Sequence, residues 1–264
     1  LRTRRQRQMC IRDSYNPSFD GQAPEPIAKN LNPFSKFIKN NGEIAAGLAT
    51  DGDADRIGLF DEKGDFVDSH HILLLLLLYL HKYKSMNGKV VVAASTTPRV
   101  VKLAEMWGLE HDTVQIGFKH IAQQMINEDV LIGGEESGGI AIKGHIPERD
   151  GIWMGLVIFE YMAKSGKSLT SLIKEIYELV GEFKYWRDDL HINENLKQSI
   201  VESCQNNAFQ SFGKYNVQNI DTTDGFKFIL SDDEWLMIRP SGTEPVLRCY
   251  ACLLYTSPSP RDKT

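Results

Sequence analysis

The segment Thr50–Arg56, which reads TDGDADR, constrains this chain more than any other stretch of its sequence. Three carboxylates, Asp51, Asp53 and Asp55, stand at alternate positions, so on an extended segment or a tight loop they can converge on one ion. Oxygen ligands without a nearby His or Cys favour Mg²⁺ over Zn²⁺. Both flanks are short and apolar. We therefore expect a metal loop that joins two strands at the edge of a buried sheet.

An EF-hand calcium loop is the first alternative, because the three aspartates fall at loop positions 1, 3 and 5 and Glu62 falls at position 12. Position 6 needs glycine for a sharp turn, but Arg56 stands there, and the flanks lack amphipathic helices. We reject the EF-hand for these two reasons. A solvated acidic turn is the plainer alternative, but it does not account for Arg56 or for the strand-like flanks.

A second motif, Gly133–Gly139, reads GGEESGG and follows the apolar run 130–132. Its glycines let the backbone approach a ligand closely. Glu135 and Ser137, placed between the glycines, offer a carboxylate and a hydroxyl that suit the vicinal hydroxyl groups of a sugar. Taken alone, such a glycine-rich acidic stretch is more often only a turn.

A third motif, Arg239–Pro245, reads RPSGTEP and lies between two apolar stretches. A guanidinium, two hydroxyls and the backbone amides around a glycine make a cradle for an anion. Arginine suits phosphate because its planar fork bonds two oxygens at once. In isolation, an ordinary Pro-bounded turn between two strands accounts for the same seven residues.

Together and in this order, the three motifs resemble those of the α-D-phosphohexomutase superfamily, which includes phosphoglucomutase, phosphomannomutase and phosphoglucosamine mutase. The segment Gly117–Lys119 is similar to the family's GFK segment, and Glu148–Gly151 is similar to a family segment that follows the sugar loop. The resemblance assigns Mg²⁺ to Asp51, Asp53 and Asp55, sugar hydroxyls to Glu135 and Ser137, and phosphate to Arg239, Ser241, Gly242 and Thr243. It also implies catalytic roles for Lys119 and Arg56 and a substrate contact for Arg149.

The activity that the resemblance implies is an isomerase reaction of carbohydrate metabolism, in which hexose 6-phosphate and hexose 1-phosphate are interconverted by phosphoryl transfer. A phosphoserine of the enzyme, which makes it a phosphoprotein, donates the phosphoryl group, and a hexose 1,6-bisphosphate is the intermediate. Mg²⁺ is the implied cofactor and hexose phosphates are the implied partners. Gly139 stands where phosphoglucosamine mutases usually have His, which favours phosphoglucomutase or phosphomannomutase and leaves phosphoglucosamine mutase as the alternative.

The nucleophilic serine of the family is expected to lie upstream, in N-terminal domains of the same polypeptide. The segment Ser14–Pro17 copies an S-x-N-P pattern, but only 36 residues separate Ser14 from Asp51, too few for the family's spacing. We therefore interpret the chain as a C-terminal fragment that is inactive by itself. A non-catalytic sugar-phosphate-binding module is the alternative from another functional class.

Both ends of the chain are interpreted as foreign to the protein. Residues 1–14 carry five arginines without apolar periodicity, and residues 253–264 are rich in Ser and Pro, so we expect neither segment to pack. Both resemble translated sequencing-adapter sequence. Between them we expect the C-terminal part of a second domain at 15–66, a third domain at 67–180 and a fourth at 181–252.

The fold class that these patterns and the resemblance imply is α/β, with mixed-sheet α/β/α domains followed by a smaller α+β C-terminal domain. Apolar periodicity predicts helices at 69–84, 97–107, 118–127, 151–164, 168–179 and 193–206. It predicts strands at 89–94, 111–115, 130–133, 183–188, 225–230, 234–239 and 246–250.

The net charge, the cysteines and the histidines do not point to further binding sites, but they argue against some classes of protein. The net charge of −5 gives no reason to expect nucleic acid, and the apolar run Ile72–Leu80 is too short to span a membrane. Cys204 and Cys249 are interpreted as free thiols of a cytoplasmic protein. The histidines lack metal-ligand spacing, and we do not expect His120 or His145 to be essential catalysts.

Overall fold

The structure, a computed structural model, describes residues 16–241 and 245–254. Its first unit is a helix, α1 (Asn32–Lys39), and an antiparallel sheet of three strands in the order β1-β2-β3. The strands are β1 (Gly47–Thr50), β2 (Ile57–Phe60) and β3 (Phe66–Val67). The acidic loop joins β1 to β2, whose residues pair from Gly47 with Phe60 to Thr50 with Ile57. The prediction that the loop links two strands is confirmed, and the EF-hand geometry is absent from this stretch.

The second unit alternates helices with the strands of a mixed sheet. Its elements are α2 (Ser69–Leu78), β4 (Lys89–Ala93), α3 (Arg99–Met106), β5 (His111–Val114), α4 (Phe118–Asn127), β6 (Val130–Gly134), β7 (Ile140–Ile142), α5 (Gly151–Ser165) and α6 (Leu169–Val180). The sheet order is β5-β4-β6-β7, with β7 antiparallel to β6 and the other pairs parallel. Val90 and Val92 point into one apolar cluster and Val91 into another, so helices cover both faces.

The helix α2 lies in the centre of the larger cluster. Asp68 caps its start by accepting a hydrogen bond from the N–H of His71 at 3.1 Å. Every residue from Ile72 to Leu80 is at most 2% exposed, which explains why this helix is apolar on all sides. The helix predicted to reach residue 84 ends at Leu78, and a π-helical turn, Tyr79–Tyr83, follows it. Among the described residues, none of the helices combines the length and apolarity that crossing a membrane requires.

The third unit is an antiparallel sheet with one helix against it. Its elements are β8 (Phe183–His191), α7 (Glu194–Gln205), β9 (Ser211–Phe212), β10 (Tyr215–Asn216), β11 (Asn219–Asp221), β12 (Phe226–Ser231), β13 (Glu234–Pro240) and β14 (Val246–Leu254). The sheet order is β11-β12-β13-β14-β8. One face packs with Cys204 of α7, and the other packs on the second unit through Trp235 and Met237. The predicted fold class is confirmed.

Sequence patterns missed or misjudged several elements. The helix α1, the strand β7 and the short strands β9 to β11 were not predicted. The expectation that residues from Leu253 onward do not pack is wrong for Leu253 and Leu254, which pair with Lys184 and Phe183 at the end of β14. Long-range pairing with β8 extends this strand, and local composition carries no sign of such a partner. Residues 1–15 and 255–264 lie outside the described structure.

A buried histidine joins the second unit to the third. The ring of His70, at the start of α2, lies 4.0 Å from the ring of Tyr185 in β8, and its side chain is buried. Its Nδ1 accepts a hydrogen bond from the N–H of Thr97 at 3.1 Å, so protonation of this nitrogen would break that bond. Burial lowers the pKa of His70 to about 4. The folded protein therefore holds a neutral histidine at this junction.

This histidine should make the protein less stable in acid. Because its pKa is depressed in the folded state, the unfolded chain binds the proton first as the pH falls from about 6.5 towards 4. Between pH 7.5 and pH 5 we expect His70 alone to lower the free energy of unfolding by about 2 kcal/mol. Urea unfolding of the parent and of His70→Asn at both pH values gives the fall in the free energy of unfolding for each protein. The difference between the two falls is the contribution of His70. An equally steep decline in both proteins would contradict it.

Candidate active site

The acidic loop is a tight turn that gathers its three carboxylates. Ala54 adopts a left-handed conformation with φ of 61°, which is uncommon for a residue with a side chain, and its N–H donates to the carbonyl of Asp51 at 3.3 Å. Carboxylate oxygens of Asp51, Asp53 and Asp55 all lie within 4.8 Å of one another. Such a set of oxygens matches the ligands that Mg²⁺ prefers, so the donor set fits the predicted ion.

Two arginines hold two of these aspartates. Arg56 donates from its backbone N–H to Oδ1 of Asp51 at 3.1 Å and from Nε to Oδ2 at 2.6 Å. Nη2 of Arg149 lies 2.5 Å from Oδ2 of Asp55. The side chain of Asp53 is exposed, and no described arginine or lysine pairs with it. The negative charge of Asp53 is therefore not balanced by an arginine or lysine of the described residues, and a bound cation could balance it.

The environment changes the acidity of the two paired aspartates in opposite directions. Burial would raise the pKa of Asp51, but the hydrogen bonds and charge of Arg56 outweigh it and hold that pKa below its usual range. For Asp55, burial raises the pKa, and the attraction of Arg149 does not offset burial together with the repulsion of Asp51 and Asp53. The site thus carries repulsion that a bound divalent cation would relieve.

The glycine-rich motif is the turn between β6 and β7, and it is joined directly to the acidic loop. The N–H of Ile57 donates to the carbonyl of Gly138 at 3.2 Å, and Arg56 forms an isolated antiparallel bridge with Gly139. Gly138 has a φ of 95°, and a Cβ there would lie 2.6 Å from the carbonyl oxygen of Ile57. Glycine is therefore required where the two loops meet.

Glu135 and Glu136 are carboxylates at the base of this turn. Oε1 of Glu135 accepts a hydrogen bond from the N–H of Gly117 at 2.8 Å, and Oε2 of Glu136 accepts one from the hydroxyl of Ser95 at 3.2 Å. Burial raises the pKa of both carboxyl groups. The backbone before α4 and the glycine-rich turn are thereby held together at one end of the parallel strands, where ligands of open α/β sheets usually bind.

One cleft of about 370 Å³ collects these residues and adds a wall from the third unit. The predicted site residues that line it are Asp51, Asp53, Asp55, Arg56, Glu135, Ser137 and Arg149. The lining residues that sequence reasoning did not select are Glu25, Ile116, Glu136, Arg187, Arg248 and Tyr250. The chain therefore brings the acidic loop, the glycine-rich turn and arginines of the third unit to a single cleft.

Three profiles of one protein family match this chain in sequence order. The profile "Phosphoglucomutase/phosphomannomutase, alpha/beta/alpha domain II" matches residues 6–64, "alpha/beta/alpha domain III" matches 68–180, and "C-terminal domain" matches 194–251. The chain belongs to the phosphoglucomutase/phosphomannomutase family. The resemblance to the α-D-phosphohexomutase superfamily is thereby confirmed. The domain II match begins inside the segment 1–14, so it does not support the prediction that the whole of that segment is foreign.

Relatives within the family carry more than one activity name. A phosphoglucomutase/phosphomannomutase of Thermococcus kodakarensis is 31% identical over 233 residues, which are 88% of this chain and 48% of the relative. A phosphoglucosamine mutase of Methanococcus maripaludis is 30% identical over 233 residues, 87% of this chain and 50% of the relative. The chain thus spans about half the length of the curated relatives it matches.

Solved structures of the family share the fold. A protein of Thermus thermophilus assigned as a phosphomannomutase matches with a TM-score of 0.76 and 32% identity, covering 90% of this chain and 48% of that chain. The N-acetylphosphoglucosamine mutase of Aspergillus fumigatus, solved in complex with GlcNAc-6P and magnesium, matches with a TM-score of 0.53 and 16% identity, covering 83% of this chain and 52% of that chain. At that identity the second likeness concerns the fold alone.

Lys119, Arg239 and Ser241 are not among the described residues that line the cleft. Lys119 is exposed on the first turn of α4. Arg239, at the end of β13, donates from Nε to Oδ1 of Asp224 at 2.8 Å. Ser241 is buried, and its carbonyl accepts a hydrogen bond from Nζ of Lys197 at 2.8 Å. Gly242 and Thr243 lie outside the described residues.

The two histidines near the motifs have different surroundings. Nε2 of His145 lies 2.8 Å from Oδ2 of Asp150, and its ring stacks on Trp153 with a centroid distance of 4.9 Å. Asp150 also caps α5 by accepting a hydrogen bond from the N–H of Trp153 at 2.8 Å. These contacts give His145 a place in the packing at the start of α5. His120 is half-buried on α4.

Proposed function

We propose that this chain carries the Mg²⁺-binding and substrate-binding parts of a phosphohexomutase that interconverts hexose 6-phosphate and hexose 1-phosphate. The observation that carries the proposal is the cluster of Asp51, Asp53 and Asp55, which lines one cleft together with arginines in a member of the family. Carboxylates suit a divalent cation and guanidinium groups suit phosphate, so the cleft offers groups for both a metal ion and a phosphorylated ligand.

The residues of this chain have separate tasks in that reaction. Asp51, Asp53 and Asp55 would hold Mg²⁺, and Arg56 and Arg149 fix two of these carboxylates. Bound Mg²⁺ would supply positive charge that stabilises the transferring phosphoryl group. Glu135 and Ser137 would bind hydroxyl groups of the sugar and so orient it.

In the proposed transfer, the bond between the phosphoryl group and a serine oxygen of the N-terminal half of the polypeptide breaks, and the phosphoryl group bonds to a sugar hydroxyl oxygen. That hydroxyl loses its proton, and the serine oxygen takes up a proton. A hexose 1,6-bisphosphate results, and transfer of its other phosphoryl group back to the serine completes the cycle. Lys119 is proposed either to contact the phosphate or to take part in the proton transfer, as the family motif implies. Arg239, Ser241, Gly242 and Thr243 are proposed to hold the phosphate that is not being transferred.

We infer a preference for glucose or mannose phosphates over glucosamine phosphate, because Gly139 stands where phosphoglucosamine mutases usually have His. A Cβ at this position would lie 2.4 Å from Cδ of Arg149 and 3.1 Å from its Cγ. A side chain at 139 would therefore displace Arg149 from its contact with Asp55. The family assignment by itself is compatible with all three sugars, since relatives of both names match at similar identity.

Substitution of Gly139 tests this inference. We expect Gly139→His to weaken Mg²⁺-dependent binding of glucose 6-phosphate about three- to tenfold, because Arg149 loses its position beside Asp55. Isothermal titration of parent and variant with glucose 6-phosphate and glucosamine 6-phosphate measures the change. Gly42→His is the matched control, since a Cβ at Gly42 meets nothing within 4 Å. Unchanged affinities for both sugars in Gly139→His would contradict the inferred role of this position.

The proposed function is tested at two levels. Calorimetry on the 264-residue chain should show that Mg²⁺ and glucose 6-phosphate bind, and that unphosphorylated glucose binds far more weakly. A polypeptide that joins this sequence to the N-terminal half of a family member should interconvert glucose 6-phosphate and glucose 1-phosphate. Binding of hexose phosphate without turnover in that longer polypeptide would favour a non-catalytic binding module instead.

A further inference from the structure

The first unit repeats an arrangement found in the second unit. In the second unit α4 leads into β6, the glycine-rich turn follows, and β7 returns antiparallel to β6. In the first unit α1 leads into β1, the acidic loop follows, and β2 returns antiparallel to β1. The helix packs closely on a strand glycine in both units, because a Cβ at Gly133 would clash with Ile121 of α4. A Cβ at Gly47 would likewise clash with Ile38 of α1. The second unit therefore shows which neighbours this arrangement takes.

Two places that are filled in the second unit are open in the first. At one edge β6 pairs with β7 and at the other it pairs in parallel with β4, whereas β1 pairs with β2 and no described strand pairs with its second edge. The helix α3, which follows β4, packs on the face of the sheet opposite α4. Residues 16–31, which precede α1, form two short 3₁₀ turns and neither a strand nor a longer helix. One edge of β1 is therefore left without a strand partner among the described residues, and such an edge is a template for pairing.

The helix α5 covers one face of β1 and carries an exposed apolar stripe. A Cβ at Gly155 would lie 2.8 Å from Cδ1 of Leu48 in β1, so the helix passes directly over this strand. Ile152 and Leu156, one turn apart, are 52% and 51% exposed, and we call them the α5 stripe. Met154, two residues from each of them, is buried in the cluster with α2, and residues two apart point to nearly opposite sides of a helix. The α5 stripe therefore lies on the side of the helix that leads away from the second unit.

The other face of the first sheet has a matching feature on α1. Ser35 donates from its hydroxyl to the carbonyl of Gly64 at 2.6 Å, so this side of α1 lies next to the turn before β3. Phe37, two residues on and therefore on the other side of the helix, is 55% exposed. Since β3 and β1 form opposite edges of the sheet, Phe37 lies towards the open edge of β1. Exposed apolar side chains thus flank this edge on both faces of the sheet.

We propose that the open edge of β1, the α5 stripe and Phe37 form a docking surface for a preceding part of the full-length polypeptide, which adds a strand parallel to β1 and a helix beside α5. In the second unit, β4 and α3 hold these places, and both precede α4 in the chain. The occupant of the first unit accordingly precedes α1. Relatives have room for it, because the matched region is only 48% of the Thermococcus kodakarensis protein.

This surface is separate from the proposed chemistry. Phe37, Ile152 and Leu156 are not among the described residues that line the cleft. An apolar helix flank and an unpaired strand edge recognise the two halves of a strand–helix segment, the edge by backbone hydrogen bonds and the flank by burial of apolar area. Docking should therefore require neither Mg²⁺ nor hexose phosphate.

The test is isothermal titration of the 264-residue chain with the N-terminal half of the Thermococcus kodakarensis relative. We expect one-to-one binding that Ile152→Asp and Leu156→Asp each weaken by about tenfold or more, because each places an unpaired charge in an apolar interface. Ile126→Asp is the matched control, since Ile126 is 67% exposed on α4, outside this surface, and it should bind as the parent does. Both stripe residues are exposed in the chain by itself, so their variants should unfold at the same urea concentration as the parent.

Hydrogen exchange of the β1 amides tests the added strand. We expect exchange to slow by about tenfold or more in the complex, because a new strand protects the open edge. Unchanged exchange of β1, unchanged affinity in the two stripe variants or no binding at all would overturn the inference. Self-association of the 264-residue chain that the stripe variants abolish and the N-terminal half does not displace would identify a second copy as the occupant and would overturn it too. Each of these results leaves the proposed function standing, because none involves the metal or the sugar phosphate.

Discussion

Replacing Asp53 by Asn should weaken Mg²⁺ binding to this chain by about tenfold or more, because a divalent cation loses one of its anionic ligands. Asp53 is the most informative of the three aspartates to change. Asp51 accepts two hydrogen bonds from Arg56, and Asp55 pairs with Arg149, so substitution of either also releases an arginine. The side chain of Asp53 is exposed and pairs with no arginine among the described residues. Replacing its carboxylate should therefore lower the affinity for Mg²⁺ with little effect on the fold.

Calorimetric titration with Mg²⁺ measures this loss. Asp65→Asn is the matched control, because Asp65 is an exposed aspartate of the turn before β3, where it pairs with Lys39 at 3.2 Å, and it lies outside the cleft. The control should bind Mg²⁺ as the parent does. Equal affinities of the parent and Asp53→Asn would remove the acidic loop from consideration as the metal site.

Replacing Gly138 by Ala should cause the largest loss of stability among single changes in the site, about 3 kcal/mol or more in the free energy of unfolding. Its φ of 95° disfavours any residue with a side chain, and the added Cβ would lie 2.6 Å from the carbonyl oxygen of Ile57. The carbonyl group of Ile57 belongs to the backbone, so it cannot move away from the added Cβ by a change of rotamer. The clash should therefore separate the turn from the acidic loop, and Mg²⁺-dependent binding of glucose 6-phosphate should weaken with it.

Gly144 supplies the matched control for this substitution. It has a similar φ of 89°, but a Cβ there meets nothing within 4 Å. Gly144→Ala should therefore cost only the conformational penalty, about 1 kcal/mol, and should leave ligand affinity unchanged. Urea unfolding and calorimetry of the two variants separate backbone strain from the loss of loop contact. Similar effects of both substitutions would show that the contact between the two loops does not matter.

Local sequence identified the chemistry of the site because each motif is contiguous. The alternate aspartates, the glycine-rich acidic turn and the Arg239–Pro245 motif can each be read from residue types within seven positions. The apolar runs around them were sufficient to predict β4, β6 and α2, because their burial follows from local hydrophobicity.

Residues that reach the cleft by long-range strand pairing could not be found in this way. Alternation shows that Arg187 and Asp189 share a face of β8, but only the pairing of β8 with β14 shows that this face lines the cleft. Glu25 reaches the cleft from an irregular segment without any pattern. For Lys119 the family motif suggested a place in the site, whereas the structure exposes its side chain on α4.

The sequence by itself determined which groups are present, namely a carboxylate cluster, a glycine-rich acidic turn and the Arg239–Pro245 motif, because short-range geometry and residue chemistry decide these. Only the tertiary structure decided how they meet. The bridge between Arg56 and Gly139, the approach of Arg149 to Asp55 and the pairing of Tyr250 in β14 with Arg187 in β8 join residues far apart in the chain. Such contacts depend on the packing of whole sheets and helices, whose free energy is spread over many residues and is not contained in any one segment.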